Sequence, residues 1–198
     1  MKALSFALIL LLSAAAILRA AEPAHFKVMQ AASCFAGNEE NDPRALGGYG
    51  ASNNLPKRLS GKEKIKEGDV YLEITQGREV LFQKKYEGLL LRLINGGAKK
   101  TAIDASDSRV AIVQEAQTKD GIWKEIEYLP SSWCGNSFHH VYLEPKQFWE
   151  FTVPRYSGPL KTNIRFKLVL SPTRTIYSST YPGGIFPQQF KKPVLKEY

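Results

Sequence analysis

The sequence is poor in the residues that most often carry chemistry. It holds three histidines, two cysteines and two methionines among 198 residues. Neighbouring strand residues point to opposite faces, so His139 and His140 cannot easily share one metal, and a site would have to recruit distant carboxylates. No Gly-x-Ser-x-Gly segment occurs, which removes the strained serine elbow of the α/β-hydrolases. There is no zinc-type cysteine spacing, no aromatic RNA-binding signature and no long basic helix, so nucleic acid is not the expected partner. No cofactor motif is present, and no metal or cofactor is expected. Asn-x-Ser/Thr sequons are absent too. No long window places apolar residues at a period of 3.6, which argues against a helical domain. Beyond residue 20, no run is long and apolar enough to span a membrane.

What is present begins at the N-terminus. Lys2 supplies a positive start, Ala3 to Ile17 is apolar apart from Ser5 and Ser13, and Ala20 or Ala21 offers a small residue for cleavage. These are the three parts of a secretory signal peptide. The apolar run of about fifteen residues is short of the roughly 20 that a spanning helix needs. Residues 1–20 are therefore expected to be removed, with a secreted or periplasmic product. The formal charge of +8 then falls to +6 with the loss of Lys2 and Arg19. The remaining cations are scattered in pairs such as Lys84/Lys85 and Lys191/Lys192, the pattern of a solvated surface. The functional alternative is attraction to anionic envelope polymers or lipid head groups, and an envelope protein or a polysaccharide is the partner expected.

Cys34 and Cys134 both survive processing. In an oxidising compartment an even count suggests a bridge. A Cys34–Cys134 disulfide would close a loop of about 100 residues and contribute roughly 4–5 kcal/mol at best.

Residues 21–67 read as an N-terminal extension. Within it, Phe26 to Met29 could form an edge strand, and residues 34–61 are dense in Gly, Asn and Pro. Such residues favour turns over ladders, so a long irregular loop is expected, pinned at Cys34. From residue 68 the pattern becomes short strands with turn signals between them. Val70, Leu72 and Ile74 alternate with polar residues, and Gln76-Gly77 reads as a turn before Val80-Leu81-Phe82. Gly88 to Ile94 reads as a central strand. Further strands are expected over 101–104, 109–117, 122–129, 138–143, 147–153, 163–170 and 175–177, with a Gly/Pro-rich tail after them. Residues 60–67 could hold a helical turn. The rhythm predicts an all-β domain over residues 68–198, an antiparallel two-sheet sandwich of the immunoglobulin-like kind, with a jelly roll as the alternative.

Two stretches add a resemblance. Trp123-Lys-Glu-Ile-Glu-Tyr-Leu-Pro-Ser-Ser-Trp-Cys-Gly-Asn-Ser137 and Phe148-Trp-Glu-Phe-Thr-Val-Pro-Arg-Tyr-Ser-Gly-Pro-Leu-Lys-Thr-Asn-Ile-Arg-Phe-Lys-Leu168 together resemble a group of uncharacterised secreted bacterial β-sandwich proteins. The resemblance covers residues 89–190 and implies compartment and fold rather than an activity.

The richest segment for chemistry runs from Ser131 to His140. Cys134 could attack as a thiolate with a histidine as base and Asn136 as oxyanion donor. However, the histidines lie only five and six residues beyond Cys134, whereas a catalytic base usually comes from elsewhere in the chain, and a disulfide would consume the thiol. Glu125 and Glu127 alternate on one strand face at roughly 7 Å, a spacing that glycosidases use but that more often marks an exposed polar face. Glu39, Glu40 and Asp42 could hold calcium through a loop, though acidic loops are usually only solvated. Aromatics give the better binding argument. Trp123 and Trp133 flank turn residues and are the tryptophans expected at the surface, whereas Trp149 shares a face with Phe151 and Val153 and belongs to the core. With Tyr49 and Asn136 they are the expected ligand-binding residues, and the loop 34–56 and the turn 130–138, brought together by the disulfide, are the expected functional surface. The sequence thus points to a non-catalytic exported binding or assembly module. A carbohydrate-binding module and a thiol-dependent hydrolase using Cys134 are the alternatives.

Overall fold

The computed structural model describes residues 21–61, 63, 65–131 and 135–193. The expected signal peptide, and Trp133 and Cys134, lie outside them. The described residues form strands and short 3-10 turns, with no α-helix. Accordingly, no helix among them is long and apolar enough to cross a membrane.

Fourteen strands follow in chain order. They are β1 (Gln30–Ala31), β2 (Lys57–Arg58), β3 (Val70–Phe82), β4 (Tyr86–Asn95), β5 (Thr101–Ser106), β6 (Arg109–Val110) and β7 (Ile112–Gln117), then β8 (Trp123–Glu125), β9 (Glu127–Tyr128), β10 (Phe138–Leu143), β11 (Gln147–Pro154), β12 (Leu160–Ser171), β13 (Arg174–Tyr177) and β14 (Tyr181–Ile185). One sheet has the order β2-β11-β4-β3, and a second has β13-β12-β7-β8 with β14 also on β12. A small sheet, β10-β5-β6, and the parallel pair β1-β9 complete the set. The three larger sheets are antiparallel throughout. The architecture is all-β and consistent with a sandwich.

Alternation explains which faces meet. On β12, Ile164, Phe166 and Leu168 are buried, and Arg165 and Lys167 turn outward. On β11, Trp149, Phe151 and Val153 enter the same core as Leu91 and Leu93 of β4 and Ile103 and Val141 of the small sheet. Trp149 is fully buried, as the sequence pattern implies, and its indole N–H donates to the Gly37 carbonyl at 3.0 Å. A buried indole needs such an acceptor, and here the irregular segment provides it. Strand β4 is apolar on both faces because both are covered: Leu90 and Ile94 are buried as well as Leu91 and Leu93.

Several sequence expectations shift. Gln76-Gly77 does not end a strand; β3 runs through it, with a register break between Thr75 and Val80 that absorbs Gly77 at φ +75°. A bulge of this kind bends a strand without ending it. The first strand is Gln30–Ala31 rather than 26–29. The Gly/Pro-rich tail contains β14, which pairs with Leu160–Ile164 of β12. An edge strand tolerates Pro182 because its nitrogen need not donate. Gly183 and Gly184 fit because any Cβ there would lie 2.5 Å from Ile164 Cδ1 and from the Gly158 carbonyl oxygen, respectively.

Candidate functional site

The segment between β1 and β2 is irregular, as its breakers suggest, but it is fastened along its length. Ala36 N–H donates to the Ser108 carbonyl, and Val110 N–H donates to the Cys34 carbonyl. Asn54 Nδ2 reaches the carbonyls of Phe35 and Glu150. The two-residue turn Asp107-Ser108 joins β5 to β6 with both φ values positive, 47° and 62°, the geometry of a tight hairpin. That turn grips the loop. Asp107 accepts from Gly50 N–H at 2.8 Å, and the Ser108 hydroxyl donates to the Gly50 carbonyl at 2.8 Å. The Gly50 bond, with help from Ser137, holds the Asp107 carboxyl below the usual range despite partial desolvation.

The same turn binds the far end of the expected site. Asp107 N–H donates to the Ser137 carbonyl at 2.9 Å. Gly48, at φ +80°, lies against Asn136, where a Cβ would stand 3.0 Å from the carboxamide nitrogen. Tyr49 stacks on His139 with ring centroids 3.7 Å apart. Loop 34–56 and residues 135–138 therefore form one surface, and Tyr49 and Asn136 share it.

Trp123 is elsewhere. It pairs with Gln117 at the end of β7 away from Ile112, on the outer face of the β13-β12-β7-β8 sheet. The Arg165 guanidinium lies over it at 4.2 Å and over Tyr177 at 3.9 Å. Glu115 fixes that guanidinium with two contacts of 2.9 Å. One face of Trp123 is thus occupied by a cation.

A hub of hydrogen bonds surrounds Asp42. Its carboxylate accepts from Arg44 N–H at 3.0 Å, His140 N–H at 2.7 Å and Tyr142 O–H at 2.9 Å, and meets His140 Nδ1 at 2.8 Å. The other ring nitrogen, Nε2, lies 3.1 Å from Asp104. Burial alone would raise the Asp42 carboxyl, but these donors outweigh it and hold the group far below the ordinary carboxylate range. The carboxylate is thereby turned to protein donors rather than presented to a cation, and no group of three or more metal-ligating side chains occurs among the described residues. Next to it, Asn38 Nδ2 donates to the His140 carbonyl at 2.7 Å, and its oxygen accepts from Tyr142 N–H at 2.8 Å.

His139 and His140 turn to opposite faces, as strand geometry requires: His139 is buried and His140 half-buried. His139 Nδ1 meets the Ser137 carbonyl at 3.1 Å, and Nε2 is buried without a hydrogen-bond partner among the described residues.

Glu125 and Glu127 do not share an exposed face. Strand pairing breaks at Ile126; Glu125 stays on the outer face with Lys167 at 2.5 Å, whereas Glu127 is buried. Glu127 accepts from Gln114 N–H at 2.9 Å, Gln114 Nε2 at 3.1 Å and Tyr156 O–H at 2.9 Å. Tyr181 O–H closes the set on Gln114 Oε1 at 2.5 Å. Burial pushes the Glu127 carboxyl up to about 7 against the pull of these donors. Sealed in this way, it cannot reach a substrate.

Cys34 is a buried thiol, 2% exposed, and desolvation, with the Glu127 charge behind it, pushes its pKa up. Its expected partner, Cys134, falls outside the described residues. The residues flanking that gap are anchored near Cys34. Ala32 N–H donates to the Tyr128 carbonyl on one side, and Ser137 is tied through Asp107 to the hairpin that pairs with Cys34 on the other.

Sequence reasoning overlooked two surface aromatics. Phe35, Arg109, Ser106 and Phe138 form one cross-strand row on the outer face of the small sheet. Phe138 is 59% exposed and Phe35 37% exposed, and Arg109 lies over the Phe35 ring at 4.7 Å. Alternation on β10 contained the signal: with Val141 and Leu143 inward, Phe138, His140 and Tyr142 must face out. No protein-family model, curated protein or solved structure matches this chain.

Proposed function

We propose that the chain is an exported, non-catalytic sandwich of the immunoglobulin-like kind, serving in the envelope or outside the cell as a binding or assembly module. Its partner is a protein met through the loop surface and the outer face of β10-β5-β6. One observation carries this reading: Phe35 and Phe138 stand exposed on one sheet face, beside a loop fastened to the same sheet. With Arg109 and Ser106 between them, the two phenylalanines make a mixed aromatic and cationic row, and aromatic residues and Arg are the types enriched at protein contacts. The groups that suggest reactions are engaged otherwise, Asp42 by four donors and Glu127 by its seal. The leader-like residues 1–20 support export. The anchored flanks of Cys134 support a bridge to Cys34, which would hold the loop surface in place.

The test is a photo-crosslinking residue at position 138, as Phe138→benzoylphenylalanine, in cells that export the chain. A discrete protein adduct from position 138, absent when the same residue replaces Ile122, supports the reading. Ile122 is equally exposed, at 58%, but lies on the β7–β8 turn. Equal or absent crosslinking at both positions overturns it.

A thiol-dependent hydrolase on Cys134 remains the second reading, favoured by the unpartnered Nε2 of His139. Thiol titration in denaturant separates the two. No free thiol before reduction and two afterwards removes the hydrolase, and two before reduction removes the bridge.

A further inference from the structure

An open groove runs where the start of β4 and the residues after β11 meet β12 and β14. Glu87, Arg155, Ser157, Lys161 and Asn163 line it, with the backbone of Pro182–Gly184. Its walls are tied together: Arg155 N–H donates to the Glu87 carbonyl at 3.0 Å, and Gly184 N–H to the Tyr156 carbonyl at 3.1 Å. The N-terminal segment forms a rim, with His25 Nε2 3.2 Å from the Ser157 hydroxyl.

The charges in this groove differ from those on the sheet faces. Arg92, Arg165 and Lys167 are each paired with carboxylates. Arg155 and Lys161 are exposed and form no ion pair among the described residues, and neither does Glu87. Two open cations and one open carboxylate therefore face the same cleft, with the Asn163 carboxamide beside them. A polyanion without hydroxyls would be repelled by Glu87. A neutral sugar would leave Arg155 and Lys161 without a task. A ligand with both a carboxylate and hydroxyls uses all four groups. Arg155 offers a planar fork and Lys161 a point charge for the carboxylate. Glu87 accepts from ring hydroxyls, and Asn163 both donates and accepts.

We propose that this groove binds an acidic saccharide, a run of uronate sugars, by polar recognition rather than by aromatic stacking. It shares no residue with the loop surface, so it stands or falls separately from the protein partner assigned there. The experiment titrates the mature chain calorimetrically with a galacturonate hexamer, a neutral galactose hexamer and tripolyphosphate. Binding of the uronate above both controls is expected. Arg155→Ala with Lys161→Ala should weaken it about tenfold or more. Glu87→Gln, which keeps an acceptor and drops the charge, should strengthen tripolyphosphate more than the uronate and so narrow the preference between them. Ile122→Ala, on the exposed β7–β8 turn, should leave the titration unchanged. Arg155→Lys, which keeps the charge and loses the fork, should fall between wild type and the double variant and rules out a general folding defect. Uronate binding no tighter than tripolyphosphate or the neutral hexamer overturns the proposal. Equal binding by the double variant also overturns it.

Discussion

Asp42 and Glu127 are both withdrawn from solvent, at 5% and 4% exposure, yet the fold drives them in opposite directions. Asp42 meets two backbone N–H groups, an imidazole and a phenol. Glu127 meets one backbone N–H, a carboxamide and a phenol, with no cation beside it. The first carboxyl is held far below its usual range, and the second is pushed up to about 7. Low exposure alone decides neither outcome. What matters is whether the donors outweigh the loss of water: Asp42 lies in a loop at the surface with Arg44 nearby, whereas Glu127 lies deep in the core, where burial outweighs its three donors.

Of the two carboxyls, the one in the core should cost more to remove. Glu127→Ala leaves Gln114 N–H and the Tyr156 hydroxyl without their acceptor and opens a cavity, so a loss of about 3–5 kcal/mol is expected in urea unfolding at pH 7. A loss under about 1 kcal/mol would mean that water replaces the carboxyl and that the site is not sealed.

Next in size is the pH dependence. A carboxyl raised from 4.5 to about 7 in the folded state stabilises fully below 4.5, and that stability is lost as pH rises through about 7. The contribution is on the order of 3 kcal/mol across that window. Glu127→Gln should flatten this slope in stability measured from pH 4.5 to 8, and an unchanged slope would place its source elsewhere.

The loop carboxyl has the opposite sign and a smaller effect. Asp42→Asn keeps the shape but weakens the charged hydrogen bonds, for a loss of about 2 kcal/mol at pH 7. Because its folded pKa is depressed, its stabilisation is present above about 4 and lost as the solution becomes more acidic. The variant should therefore lose less stability than the wild type below pH 4. Amide exchange should quicken in residues 36–50 while β11 and β12 stay protected. Quickening throughout the core would show that the loop is part of the global fold.

The legible parts of this molecule are those in which neighbours in sequence decide the outcome. Ile164, Phe166 and Leu168 announce β12, and Trp149, Phe151 and Val153 announce the buried face of β11, because a period of two is local. Strand β14 is hidden because Pro182, Gly183 and Gly184 are turn residues by habit and strand residues only by their contacts with Ile164 and Gly158. Glu127 is misread for a similar reason: two residues from Glu125, it shares that residue's face only in an unbroken strand, and pairing breaks at Ile126. The joining of loop 34–56 to residues 135–138 is legible only as a consequence of the expected bridge, whereas Asp107 accomplishes it with ordinary hydrogen bonds to Gly50 and Ser137. The role of Asp42 has no local signal, since His140 and Tyr142 lie 98 and 100 residues away.

The carboxamide of Asn38 has one more consequence. It gives a donor to the His140 carbonyl and an acceptor to Tyr142 N–H, the pair of bonds that a peptide group of an eleventh-hour neighbour strand would make. A single side chain thereby impersonates a strand, and Asp42 extends the disguise to His140 N–H. The rim of the small sheet carries exposed aromatic residues, and an unsatisfied rim of that kind would invite a second molecule to add itself and then a third. By filling the vacancy from within, the chain denies that stretch of its backbone to copies of itself.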